Sequence, residues 1–247
     1  MAGNGMAPRR GGLRDRLAPL GERLELGSIV LLLLLVTGIW GFIELAGEVV
    51  EGETERLDRA HQLAFRARDD PAEPLGPLWL QEVGRDLTAL GGVAVLSLVT
   101  IGVLAFLAMR RLWAAAGLLL VAVLGGLAVS TLLKEHFERP RPDLVPHGSI
   151  VTDASFPSGH SMMATVVYLT LGALLARVEP GLRVKVFVLG FAVLLALLVG
   201  VSRVYLGVHW PTDVLAGWVL GAAWALLFWL IARWLQHRGR LEVDRGE

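Results

Sequence analysis

Six long apolar runs constrain this 247-residue chain more than any other feature of its sequence. They cover residues 26–47, 88–108, 112–133, 160–176, 184–201 and 214–235. A nearly uncharged run of about 18 residues or more marks a membrane-spanning helix, because a helix of that length crosses the hydrocarbon core of a bilayer. The sequence therefore predicts an all-α integral membrane bundle of about six transmembrane helices.

The remaining composition excludes several classes of function. The chain contains 23 basic and 23 acidic residues, so no net positive field is available to attract nucleic acid. It contains no cysteine, which excludes disulfides, thiolate metal sites and cysteine nucleophiles.

Lysine and arginine residues predict the orientation of the bundle in the membrane. They concentrate in residues 1–25, in the turn after residue 108, in the turn after residue 176 and in the final tail. Short segments rich in these residues stay in the cytoplasm. We therefore expect residues 1–25 and 236–247 to be cytoplasmic tails, residues 26–235 to form the six-span domain of a cell-membrane protein, and residues 48–87 to form an extracytoplasmic loop.

Within this loop, residues 53–68 predict a helix that lies along the membrane face. Its apolar side would consist of Leu57, Ala60, Leu63 and Ala64, and a Pro/Gly cluster would end it. The length of the loop and its place on the outer face motivate the hypothesis that it controls lipid entry.

Three polar motifs fall at the outer ends of the predicted spans. The first is KEHFERPRP, from Lys134 to Pro142; the second is PSGH, from Pro157 to His160; the third runs from Ser202 to Asp213. Ionisable groups beside membrane spans are costly, and they indicate a functional site. Because all three motifs are expected on one membrane face, a single site can contain them.

In the second motif, Ser158 is suited to cap the helix that follows, and Gly159 allows a ligand to approach the backbone closely. The free N–H groups of such a helix start bind anions. A plain capped helix with His160 at the interface is the alternative.

In the first motif, Lys134 offers a point charge and Arg141 a planar fork, a combination that suits a phosphoryl group. The alternative is that these side chains extend from the helix end toward lipid headgroups. Arg139 is the member of this run that we expect to be solvated or to face lipid.

The third motif combines Ser202, Arg203, His209 and Asp213. A carboxylate that accepts a hydrogen bond from one histidine nitrogen sets the tautomer and makes the other nitrogen more basic, so that it can attack phosphorus. Pro211 fits best at a first helical position, which makes the contact between His209 and Asp213 depend on loop geometry. A structural hydrogen bond that caps the last helix is the alternative.

Taken together, the pattern K-x6-RP, PSGH and SR-x5-H-x3-D resembles the signature of the type 2 phosphatidic acid phosphatase (PAP2) superfamily, and in particular its membrane-bound bacterial branch. The resemblance implies that His209 is a nucleophile forming a phosphohistidine, that Asp213 orients it, and that His160 is the general acid. It also implies that a further set of residues holds the phosphoryl oxygens: Lys134, Arg141, Ser158, Gly159 and Arg203.

The expected function is hydrolysis of a lipid phosphate or lipid diphosphate, with undecaprenyl diphosphate, phosphatidylglycerophosphate and phosphatidate as candidate substrates. Phosphotransfer to another acceptor through the same site, or binding and transport of a phosphorylated lipid, are the alternatives. No metal or other cofactor is expected, and the expected partners are the lipid substrate and the bilayer. The histidines outside the pattern are expected to be solvated: His61, His136, His147 and His237.

Overall fold

The computed structural model describes residues 13–144 and 153–238. These residues form eight helices: α1 (Leu13–Glu51), α2 (Glu55–Ala64), α3 (Leu78–Ala89), α4 (Val93–Met109), α5 (Trp113–Phe137), α6 (Gly159–Val178), α7 (Leu182–Tyr205) and α8 (Pro211–His237). No β-strand occurs within these two ranges, which confirms the predicted all-α class. Residues 1–12 and 239–247 of the predicted tails, and His147, lie outside the described residues.

Five helices are long and apolar enough to cross a membrane by themselves: Leu26–Glu51, Trp113–Phe137, Gly159–Arg177, Leu182–Tyr205 and Pro211–Gln236. Helices α3 and α4, which are bent by 44° at the break between them, pass the same test of length and composition when taken together as one span, which brings the number of candidate spans to six. The prediction of about six spans is confirmed.

The second span was predicted as one helix over residues 88–108 that follows a polar loop. The structure differs from this in detail. Helix α3 begins ten residues earlier, at Leu78, and packs against α7. The helix breaks at Gly91, where an added Cβ would lie 2.4 Å from Val199 Cγ1 and 3.1 Å from the carbonyl oxygen of His160. The two helices therefore bend where the chain passes tightly between α6 and α7, a constraint that hydropathy does not reveal.

Helix α6 forms the centre of the bundle. In its most apolar window 56 % of the residues are buried, against 11 % for α1. It packs against α5, α7 and α8, while α1 packs on the outer side of α8. The helix that begins with the PSGH motif is thus held on three sides.

The contact between α6 and α8 depends on small residues. A Cβ atom at Gly217 would lie 2.7 Å from the carbonyl oxygen of Ser158, and one at Gly221 would lie 2.7 Å from that of Met162. Glycines four residues apart let two membrane helices approach at backbone distance. This close approach brings the starts of α6 and α8 together.

Helix α2 lies within the range predicted to be helical, residues 53–68, but it ends at Ala64 rather than residue 68. The chain turns inward there, because Phe65 packs edge-on against the ring of Tyr205 and Arg66 donates a hydrogen bond to the Tyr205 carbonyl oxygen at 3.0 Å. The apolar side chains of Leu57 and Leu63 are exposed. The opposite side of α2 is polar and buried, which the apolar pattern did not indicate.

We predict that Gly221→Ala destabilises the protein by roughly 1–3 kcal/mol, because the added methyl group overpacks the contact between α6 and α8. Gly102→Ala is the matched control, since nothing lies within 4 Å of a Cβ at that position. Thermal unfolding in detergent measures the difference. Equal melting temperatures for the two variants would contradict the role of this contact.

Candidate active site

The three polar motifs meet at one end of the bundle. Lys134 lies in the last turn of α5, His160 in the first turn of α6, and His209 between α7 and α8. Arg141 approaches His209, with its Nη1 atom 3.1 Å from the His209 Nε2 atom. The predicted convergence of distant motifs is therefore present in the fold.

His209 lies in the short connection between α7 and α8 and not on a helix. Helix α7 ends at Tyr205, and Gly207 then takes a φ of 75°, a left-handed conformation that favours glycine. Pro211 occupies the first position of α8 and restarts the helix. The imidazole between these two points is only 1 % exposed.

Hydrogen bonds determine the tautomer of His209. A guanidinium group can only donate, so the Nη1 atom of Arg141 requires an unprotonated Nε2. The ring proton then lies on Nδ1, which is 3.3 Å from Asp213 Oδ2. The Nε2 lone pair is consequently directed toward the cationic side of the site.

Asp213 is held by its position in the first turn of α8. Its Oδ2 atom accepts a hydrogen bond from the Trp210 N–H at 2.9 Å and another from the Ser155 hydroxyl. The contact between His209 and Asp213 thus arises from a helix cap and not from helical spacing between them. Ser155 was not identified from the sequence, where it belongs to no recognised pattern.

Lys134 and Arg141 both bind a carboxylate that sequence reasoning also missed. The Asp153 carboxylate contacts Lys134 Nζ with one oxygen and Arg141 Nη2 with the other, the latter at 2.5 Å. Burial raises the pKa of Asp153, but the two cations outweigh it and hold that pKa at about 2, below the ordinary value of 3.8. Two cations placed around one planar anion are an arrangement that can also bind a phosphoryl group.

Arg203 and His160, together with Lys134 and Arg141, form what we call the polar wall of the site. The guanidinium group of Arg203 is 2 % exposed and donates from Nη1 to Thr88 Oγ1 at 3.0 Å. His160 lines the same cavity as Lys134 and Arg203. Thr88 of α3 is a contributor that no motif indicated.

Ser158 and Gly159 form the predicted helix start. The hydroxyl oxygen of Ser158 accepts from the N–H of Ser161 at 3.4 Å and from its hydroxyl at 2.9 Å, which makes Ser158 the N-cap of α6. A Cβ at Gly159 would lie 3.4 Å from Cε of Lys134 and 3.9 Å from its Nζ. Glycine therefore leaves the space beside the lysine ammonium open.

The prediction that Arg139 is solvated or faces lipid is wrong. Its side chain is 14 % exposed and bonds to Asp213 and Asp58. Asp58 lies on the buried side of α2, in a polar stripe with Thr54 and Gln62 at four-residue spacing. That spacing is the sequence signal that would have found Asp58, since residues four apart share one face of a helix.

The histidines outside the motifs do not enter the site where the structure describes them. His61 and His136 are exposed, as predicted. The side chain of His237, like His147, is outside the described residues. Within the described ranges, no group of three His, Asp or Glu side chains is arranged to hold a metal ion.

A cavity of about 560 Å³ opens from this polar wall between α4, α5 and α6. Its polar end includes Lys134, Gly159, His160 and Arg203. Away from that end it is lined mainly by apolar side chains: Leu96, Ile101, Leu104, Leu120, Val123, Leu124, Leu127 and Met163. The cavity can therefore hold a molecule that is anionic at one end and apolar along its length.

Burial of the His209 ring, helped by Arg141 and Arg203 and opposed by Asp213, lowers the pKa of His209 from 6.5 to about 4. Between these two pH values the unfolded chain takes up a proton at His209 that the folded protein does not. We predict that the free energy of unfolding falls as the pH falls through this window, and that His209→Gln loses this component. Denaturant unfolding of both proteins measures it, and identical pH dependence would contradict the prediction.

Known proteins resemble this chain in both sequence and structure. The PAP2 superfamily matches residues 115–237. Phosphatidylglycerophosphatase B of Bacillus subtilis is 44 % identical over 159 residues, which is 62 % of this chain and 74 % of that protein. An undecaprenyl-diphosphatase of Sulfolobus acidocaldarius is 45 % identical over 71 residues, 29 % of this chain and 30 % of that protein.

Among solved structures, the transmembrane PAP2 type phosphatidylglycerolphosphate phosphatase from Bacillus subtilis superposes with a TM-score of 0.73 at 31 % identity, and the match covers 86 % of this chain and 98 % of that one. The matched family segment contains all three motifs, and this likeness in fold covers nearly the whole relative. On this evidence the chain belongs to the PAP2 superfamily.

Proposed function

We propose that the protein hydrolyses a lipid phosphate or the terminal phosphate of a lipid diphosphate, through a phosphohistidine formed on His209. One observation carries this proposal: the polar end of the cavity, with Lys134, His160 and Arg203, and its apolar part form one continuous space. A phosphate group alone requires only the cations, whereas an acyl or isoprenyl chain requires the apolar part. The relatives named phosphatidylglycerophosphatase B and undecaprenyl-diphosphatase support the same substrate class.

The first step begins with the substrate phosphate in the place of the Asp153 carboxylate. Lys134, Arg141 and Arg203 would hold the phosphoryl oxygens, since preorganised donors stabilise charge spread over these oxygens in the transition state. The Asp153 side chain is 57 % exposed, which allows it to turn away toward solvent.

The start of α6 would supply further donors. Gly159, the first residue of α6, would offer its backbone N–H. The Ser158 hydroxyl accepts two hydrogen bonds from Ser161 and so retains its own proton to donate. Helix starts stabilise bound anions.

His209 Nε2 would then attack phosphorus, and the bond from phosphorus to the lipid oxygen breaks. His160 gives its proton to that leaving oxygen, so the lipid departs as a neutral alcohol or as the shortened phosphate. The imidazole of His209 becomes cationic when it carries the phosphoryl group, and Asp213 at 3.3 Å from Nδ1 stabilises that charge.

Water completes the cycle. His160, now neutral, accepts a proton from a water molecule whose oxygen attacks phosphorus. The bond from phosphorus to Nε2 breaks, which releases inorganic phosphate and restores His209 and protonated His160. Each residue of the site thereby returns to its starting state.

The same proposal includes the arrangement in the membrane. Residues 1–25 and 236–247 would be cytoplasmic, residues 26–235 would form the membrane domain, and the loop of residues 48–87 would lie outside with the active site. The density of arginine in the short segments opposite the site supports this orientation.

We predict that the purified protein releases phosphate from at least one of phosphatidylglycerophosphate, undecaprenyl diphosphate and phosphatidate. His209→Ala and His160→Ala should each lower the rate at least about 100-fold, because one removes the nucleophile and the other the acid. Vanadate should inhibit as a mimic of the transition state. Wild-type rates in both variants on all three lipids would refute the proposal.

We also predict that Leu127→Trp slows turnover of a long-chain lipid phosphate by about 10-fold or more relative to p-nitrophenyl phosphate, because the larger ring takes up part of the apolar cavity that Leu127 lines. Leu132→Trp is the matched control, since Leu132 is on the same helix and is 64 % exposed. Parallel kinetics on both substrates compare the two variants. An equal loss on the lipid and on p-nitrophenyl phosphate would contradict a tail-binding role for the cavity.

A further inference from the structure

The guanidinium group of Arg139 lies between two buried carboxylates. Its Nη1 atom donates to Asp213 Oδ1 at 2.5 Å, and its Nη2 atom donates to Asp58 Oδ2 at 2.7 Å. Asp213 and Asp58 are 0 % and 1 % exposed. Arg139 therefore binds Oδ1 of Asp213, while Oδ2 of the same carboxylate faces the His209 ring.

Asp58 is bound as completely as Asp213. Its Oδ1 atom accepts from the Thr212 N–H at 3.0 Å, and its Oδ2 atom accepts from the Thr212 hydroxyl at 2.7 Å. Arg139 Nη1 also donates to that hydroxyl oxygen, at 2.8 Å. Asp58 of α2 and Arg139 of the outer loop are thus joined to the first turn of α8, directly beside the residue that orients His209.

The charges of this network serve the chemistry at His209. Arg139 paired with Asp213 alone would cancel the negative charge that stabilises a phosphorylated, cationic imidazole. Asp58 adds a second carboxylate, so the three ionised groups retain one net negative charge next to His209. Burying three ionised groups is expensive, and their attraction alone does not make a fold more stable than apolar packing would.

We propose that Asp58, Arg139 and Thr212 are positioning residues for the reaction at His209: the extracytoplasmic helix α2 holds Arg139, and Arg139 locks the Asp213 carboxylate in the orientation that directs the His209 lone pair at phosphorus. This inference rests on the proposed function, since it concerns the same reaction. Asp58 lies outside the motifs K-x6-RP, PSGH and SR-x5-H-x3-D, and Arg139 and Thr212 occupy positions that these patterns leave unspecified.

The test uses the full-length protein and p-nitrophenyl phosphate, whose hydrolysis reports the chemistry at His209 independently of lipid preference. For Asp58→Asn we expect kcat to fall about 10- to 100-fold, because small misplacements of a reacting group cost this much. KM should change by less than about twofold, since the cations that bind phosphate are untouched. Inhibition by vanadate should weaken by the same factor as kcat, because both require a well-placed His209.

Further variants separate positioning from anchoring. Thr212→Val removes the hydroxyl that joins Asp58 and Arg139 but keeps the shape of the side chain, and it should lower kcat as Asp58→Asn does. Thr212→Ser keeps the hydroxyl and should have the kcat of the wild type. If Asp58 acts through Arg139, the double variant Asp58→Asn/Arg139→Gln should be no slower than Arg139→Gln alone. Glu55→Gln is the control on α2, one turn away and exposed in a surface pair with Arg59, and it should retain wild-type kinetics.

The outcomes are distinct. A lower melting temperature of Asp58→Asn with unchanged kcat and unchanged vanadate inhibition would show that the network only anchors α2, and would overturn the proposal. If Asp58→Asn does not fold, wild-type kcat in Thr212→Val overturns it equally. Failure of the proposed function gives a different result, in which wild-type protein and His209→Ala hydrolyse p-nitrophenyl phosphate at the same rate.

Discussion

The end of the bundle that carries the candidate site depends on the carboxylate of Asp213. It caps α8 through the Trp210 N–H, accepts from Ser155 in the loop before α6, faces the His209 ring, and receives Arg139 from the loop after α5. A buried charge of this kind is tolerated only when donors surround it. The donors come from separate segments of the chain, so satisfying one carboxylate draws those segments together.

The helix bundle next to this site provides a close helix contact and an apolar cavity. Glycines at positions 217 and 221 allow α8 to approach α6 at backbone distance, which aligns their two helix starts. The bend between α3 and α4 lines one end of the cavity, which opens between α4, α5 and α6. A membrane phosphatase needs both properties, because the phosphate must be gripped in a fixed geometry while its lipid chain stays in an apolar environment.

Much of the site was predictable because its chemistry requires particular residue types at local spacing. The pattern from Lys134 to Arg141, the PSGH helix start and the pair of His209 with Asp213 are each readable within about ten residues. Arg139, by contrast, was assigned to solvent or lipid. A basic residue at the end of a span has no sequence property that distinguishes a lipid-facing side chain from one bound to two distant carboxylates.

The sequence by itself determined the all-α membrane class, the approximate spans and the motif residues that meet at one end of the bundle, since hydropathy and short motifs depend only on neighbouring residues. The tertiary structure decided what those groups touch. The pairing of Asp58 with Arg139 joins residues 81 positions apart, and Asp153 contacts both Lys134 and Arg141, which precede it by 19 and 12 positions. Such contacts depend on how helices pack, and packing is a property of the whole chain and of no segment within it.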